Sequence, residues 1–217
     1  MRSHFDQQMF ALNRDLTRMG ALCEEILQLV TRALGSDSRE TLQKLPELGE
    51  EIKRLERSIE SSCLTLLLLQ QPVAGDLRQV SAALKIITDL ERIGRQTEDI
   101  GQIMAYLSGI PGDERALLGE MAQAASNMVT RSVDAYVRQD VTLAKSVICQ
   151  DDTVDAFFAR VKQLLIQQIR SDSGGSEWAI DLIMIAKYLE RIGDHAVNIA
   201  QWVAFSVTGV HKSGEAL

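Results

Sequence analysis

Apolar residues recur at steps of three and four along almost the whole chain, the spacing that keeps one face of an α-helix dry. Leu12, Leu16, Met19, Leu22, Ile26, Leu29 and Ala33 carry the first such stripe and predict a helix over about 5–34. Gly35-Ser36-Asp37-Ser38 interrupts it, with Asp37 or Ser38 suited to cap the next helix. A second long helix is expected over about 39–70, loosened near its start by Pro46 and Gly49, and Gln71-Pro72 ends it. Pro72 suits the first turn of a third helix reaching about Leu107. The pattern then stops at Ser108-Gly109-Ile110-Pro111-Gly112-Asp113 and begins again. Helices follow over about 114–138, 141–170 and 177–207, with a Ser/Gly-rich loop at 171–176 and a loose tail at 211–217.

The second run of three helices repeats the first. An offset of 102 places Leu16 on Leu118, Met19 on Met121, Ala33 on Ala135, Ile52 on Val154 and Ile59 on Val161. After a three-residue shortening before the last helix, an offset of 99 places Leu90-Glu91-Arg92-Ile93-Gly94 on the identical Leu189-Glu190-Arg191-Ile192-Gly193. The expected architecture is all-α: two tandem pseudo-symmetric three-helix bundles, at 1–108 and 113–210, followed by the tail.

Composition agrees with helices and narrows the function. The 217 residues are 46% hydrophobic and only 5% aromatic, with three prolines, which favours packed helices over sheets or disorder. A net charge of −7 speaks against nucleic acid as a partner, since phosphates demand a basic face. The longest apolar run, Leu64 to Leu69, includes Thr65 and is far too short to span a bilayer, and residues 1–10 are too polar for a leader. Cys23, Cys63 and Cys149 stand singly and read as reduced core thiols of a cytoplasmic protein.

Acids interrupt two of the apolar seams. In the fifth helix Val147, Asp151, Val154, Phe158, Val161 and Leu165 alternate by four and three, so Asp151 takes a seam position and Asp155 lies one turn beyond. In the sixth, Ile183, Ala186, Glu190, Val197 and Ala204 form a stripe, with Asp194 one turn past Glu190. Such carboxylates repel, and a hard cation (Mg, Ca, Mn, or an oxygen-rich Fe or Zn site) would compensate them; so would a solvated bundle edge with Lys187 and Arg191 nearby. The first repeat departs from this pattern. Asp155 becomes Lys53, Asp194 becomes Arg95 and Asp151 becomes Gly49 beside Glu50 and Glu51, which predicts ion pairs there instead. His195 points about 100° away from Asp194 and reads as a hydrogen-bonded or outer-shell residue. Gly94 and Gly193 mark close helix packing or clearance for an ion, and Trp178 and Trp202 read as core or interface anchors.

The stretch Leu-Leu-Leu-Leu-Gln-Gln-Pro-Val-Ala-Gly-Asp-Leu-Arg at 66–78, with Asp89-Leu90-Glu91-Arg92-Ile93-Gly94, resembles the first repeat of the PhoU family of phosphate-transport regulators. Leu189-Glu190-Arg191-Ile192-Gly193-Asp194-His195-Ala196-Val197-Asn198-Ile199-Ala200 resembles its second. The resemblance implies a cytoplasmic, non-catalytic negative regulator, frequently a homodimer. Its implied partners are the phosphate ABC transporter's ATPase subunit (PstB-like) and the phosphate sensor histidine kinase (PhoR-like). It also implies iron or zinc clusters on Glu/Asp-x-x-x-Asp motifs, which Asp151/Asp155 and Glu190/Asp194 fit and the first repeat does not; with the oxygen donors counted, the expected ion is Fe, Zn, Mn or Mg. The competing expectation is a carboxylate metal-binding bundle or metalloenzyme, against which stands the lack of any Glu-x-x-His pair. A purely structural oligomer, docking through an apolar stripe within 180–192, is the third.

Overall fold

A computed structural model describes residues 2–36, 39–107, 110, 112–171 and 177–210. It contains six long α-helices: α1 (Arg2–Ser36), α2 (Leu45–Gln70), α3 (Gly75–Tyr106), α4 (Gly112–Arg138), α5 (Val141–Ser171) and α6 (Glu177–Thr208). Helices α1 to α3 pack on one another, and so do α4 to α6, while α3 against α6 and α1 against α4 join the halves. The repeat-related pairs Leu16/Leu118, Met19/Met121, Ile52/Val154 and Ile59/Val161 are all buried. They belong to one continuous core that takes in both halves.

The helix boundaries follow local chemistry. Residues Arg39–Lys44 form a 3-10 helix, and α2 begins only at Leu45, with Pro46 in its first turn. Pro46 therefore starts the helix instead of kinking it, because a first-turn residue needs no amide hydrogen. Pro72, expected to open α3, lies outside it. Gln71 (φ 47°, ψ 56°) is left-handed and Ala74 (φ 47°, ψ −115°) also has a positive φ, and between them Pro72 stays in the link while α3 starts at Gly75. Gln139 (φ 52°) ends α4, and Asp140 caps α5 by accepting the Leu143 amide at 2.9 Å. The expected cap at Asp37 or Ser38 lies outside the described residues.

Two further expectations need correction. Cys23 and Cys63 are buried, but Cys149 is exposed on α5. The stripe expected on α6 is buried only at Ala186 and Val197 and half-buried at Ile183, Glu190 and Ala204; the deep seam is Leu182, Ile185, Leu189, Ile192, Ala196, Ile199 and Val203, all fully buried. This helix packs on α3, α4 and α5 together, so most of its circumference is dry.

Glycines set the closest approaches. A Cβ on Gly94 would fall 2.9 Å from Ile52 Cδ1, so this glycine serves close packing. Its counterpart Gly193 has only ordinary contacts, Val154 Cγ1 at 3.5 Å and Asp151 Oδ1 at 3.7 Å. Between the halves, Gly20 of α1 packs close to α4, where a Cβ would meet Val133 Cγ1 at 2.6 Å.

Candidate functional site

Asp151 and Asp155 on α5 face Glu190 and Asp194 on α6 closely enough to repel. Burial pushes the Asp151 carboxyl above the usual range, and the charges of Asp155, Asp194, Asp152 and Glu190 add to it. Burial also raises Asp194, reinforced by Glu190 and Asp155 and partly offset by Lys187 and His195. Lys187 is the local counter-charge: it pairs with Glu190 and lies 5.3 Å from the centre of the Phe158 ring. Asp151 is half-buried on the seam, whereas Asp155 and Asp194 are exposed. Among the described residues, no three His, Cys, Asp or Glu side chains are gathered as they stand into a group able to hold a metal ion.

Raised carboxyl values fix the sign of a pH effect. The folded chain holds these protons more tightly than the unfolded one, so stability falls as pH rises from the unfolded value of about 3.9 through the higher folded values. In metal-free buffer at pH 7, Asp151→Asn and Asp194→Asn should each raise the unfolding free energy read from urea curves, by under about 1 kcal/mol given solvent screening. Below about pH 3.5 the gain should vanish, because the wild-type acids are then protonated too.

The first repeat replaces repulsion with pairing, as the exchanged charges predict. Lys53 lies 3.0 Å from Glu50 and 3.6 Å from Glu98, and Arg95 lies 3.9 Å from Glu91. Glu98 was not a sequence candidate, since Val197 occupies its place in the second repeat. Its signal is Gly49: a Cβ there would fall 1.1 Å from Glu98 Oε1, so the carboxylate fills the space a side chain would need. Burial raises the Glu98 carboxyl, against the lowering effect of Lys53.

Where α3 meets α6 there is a second polar constellation. Nδ1–H of His195 donates to Asp89 Oδ1 at 2.8 Å, and Nε2 contacts the Gln96 amide nitrogen at 3.3 Å. Asp89 is 6% exposed, one of few buried acids. His195 is thus an inter-repeat bridge, turned away from the acid quartet as its helical position requires. Asp89 was missed although it sits three residues after buried Ile86 and four before buried Ile93, squarely on the apolar face. In α1, the Cys23 thiol donates to the Leu90 carbonyl at 3.3 Å, and burial holds that thiol protonated. Trp202 packs edge-on against Phe205, with ring centres 5.5 Å apart.

Comparison with known proteins places this geometry. The chain matches the PhoU domain twice, over residues 16–104 and 118–203. It is 39% identical over 212 residues to a phosphate-specific transport system accessory protein PhoU homolog of Synechocystis sp., covering 96% of this chain and 93% of that one. It is 35% identical over 209 residues to the homolog of Zymomonas mobilis, covering 94% of this chain and 87% of the other. The crystal structure of PhoU from Pseudomonas aeruginosa superposes with a TM-score of 0.91 at 30% identity, covering 95% of this chain and 100% of that chain. PhoU from Streptococcus pneumoniae shares the fold, with a TM-score of 0.86 at 23% identity over 98% of this chain and 99% of that one. With both of its helical repeats matched in tandem, the chain belongs to the PhoU family.

Proposed function

We propose that this chain is a cytoplasmic regulatory adaptor of phosphate uptake. In this reading it restrains the phosphate ABC transporter through the ATPase subunit and represses the phosphate-regulon histidine kinase when phosphate is sufficient. The observation that carries the reading is the near full-length match to relatives named as phosphate-specific transport accessory proteins. No helix among the described residues is long and apolar enough to cross a membrane, which suits action through a peripheral subunit. Ile180 and Met184 lie exposed one turn apart on α6 and would serve a homodimer contact.

A second reading, metal binding, is favoured by the mutual repulsion within the acid quartet. The all-oxygen donor set fits a hard or borderline cation (Fe, Zn, Mn or Mg), held by Asp151, Asp155, Glu190 and Asp194. Solvent-facing Asp155 and Asp194 would turn inwards to close around it. A bound cation would add positive charge beside the Lys187–Glu190 pair. One experiment addresses both readings: elemental analysis of native protein alongside co-purification of the transporter ATPase and the kinase cytoplasmic region. The expected result is partner capture by wild type, with Asp155→Ala and Glu190→Ala losing metal. Absence of both partners, with and without added metal, would defeat the adaptor reading.

A further inference from the structure

Above the Asp89–His195 bridge, the α3–α6 seam opens into a surface depression of ≈ 430 Å³. Arg92, Arg95 and Gln96 line it from α3, and Arg191, His195 and Asn198 from α6. The repeat offset relates Arg92 to Arg191 and Gln96 to His195, so the depression straddles the line on which the two third helices mirror each other.

The charge here runs against the rest of the molecule. In a chain with 30 acids to 23 basic residues, three guanidinium groups border one hollow. Among the described residues Arg92 and Arg191 have no ion-pair partner, and Arg95 has only the 3.9 Å contact with Glu91. Asp194 is the single acid in the lining. Like charges held together without counter-charges are stabilised by a ligand of opposite sign. Guanidinium forks match tetrahedral oxyanions with paired N–H donors, and the Gln96 and Asn198 amides add neutral donors beside them. The Asp89 hydrogen bond fixes the His195 ring at the floor. A hollow of this size takes a phosphate with its nearest waters, or a small phosphate ester.

We propose that this two-fold arginine hollow binds a phosphoryl oxyanion, either inorganic phosphate or the terminal group of a small phosphate ester. The site is independent of docking on the transporter, and it is separate from the acid quartet in everything but Asp194.

Calorimetric titration of the full chain in chelator-treated, low-salt buffer tests this, with inorganic phosphate in one arm and ADP in the other. Saturable binding below about 1 mM is expected in at least one arm. Phosphate alone would assign the free anion, and ADP alone the ester. Arg92→Gln and Arg191→Gln should each weaken it about tenfold and together abolish it, while Asp194→Asn should tighten it several-fold. Both arginines are exposed, so circular dichroism should show unchanged helicity in these variants. Binding in neither arm, or binding that survives the double arginine variant, overturns the proposal. So does loss of ATPase-subunit capture in that variant without any anion binding, which would mark the arginines as a protein contact. Anion binding with no capture of the ATPase would uphold the site and count against the adaptor reading alone.

Discussion

His195→Ala should destabilise the chain by about 3 kcal/mol, more than removing both members of its pair with Asp89. The Asp89 carboxylate is held between α3 and α6 by the His195 Nδ1–H at 2.8 Å, with side-chain exposures of 12% for His195 and 9% for Asp89. An alanine at 195 leaves that carboxylate facing a void in the interface that joins the two repeats, where desolvation is no longer offset. In Asp89→Leu/His195→Leu both polar groups go and the volume is roughly kept, so the loss should fall below that of the single variant. Urea unfolding of the wild type, the two single variants and the double variant reads the coupling directly. Equal losses in His195→Ala and the double leucine variant would mean that water reaches Asp89 and that the pair does not hold the halves together.

The second large effect belongs to Gly20. A Cβ there already lies 2.6 Å from Cγ1 and 2.9 Å from Cγ2 of Val133, a β-branched side chain with little freedom to turn aside. Gly20→Val should therefore push α1 away from α4 and cost about 3 kcal/mol, at the upper end for overpacking. Val133→Ala in the same chain should recover part of this by opening the opposing surface, a non-additivity expected of residues in contact. Gly193→Ala provides the contrast. Its nearest neighbours are at 3.5 Å and 3.7 Å, so it should be neutral or stabilising by up to about 1 kcal/mol through helix propensity. A Gly20→Val midpoint close to wild type would show that the two helices slide apart without penalty.

These two positions show what could be read along the chain and what could not. The six helices and the internal repeat were legible because helical periodicity and the twice-written Leu-Glu-Arg-Ile-Gly are local signals. The ion pairs of the first repeat were legible for the same reason, since aligned repeats expose charge reversals such as Asp155 to Lys53. Pro46 and Pro72 misled by a few residues, because both suit a helix start and only the backbone at Lys44, Gln71 and Ala74 decides where it falls. Asp89, Glu98 and the arginine hollow stayed hidden. Each depends on which faces of two distant helices meet: α3 on α6 for Asp89–His195 and Arg92–Arg191, and α2 on α3 for Gly49–Glu98. Periodicity says that a residue sits on a packed face, but it does not name the residue opposite.

The exposed thiol on α5 has a practical corollary. With Cys23 and Cys63 sealed in the core, Cys149 is the one sulfur that a water-borne maleimide meets at once. It stands two positions before Asp151, about 200° round the same helix, so a fluorophore attached there would ride on α5 without touching the face that carries Asp151. A partner that covers this face of α5 would then be seen by the emission of one label.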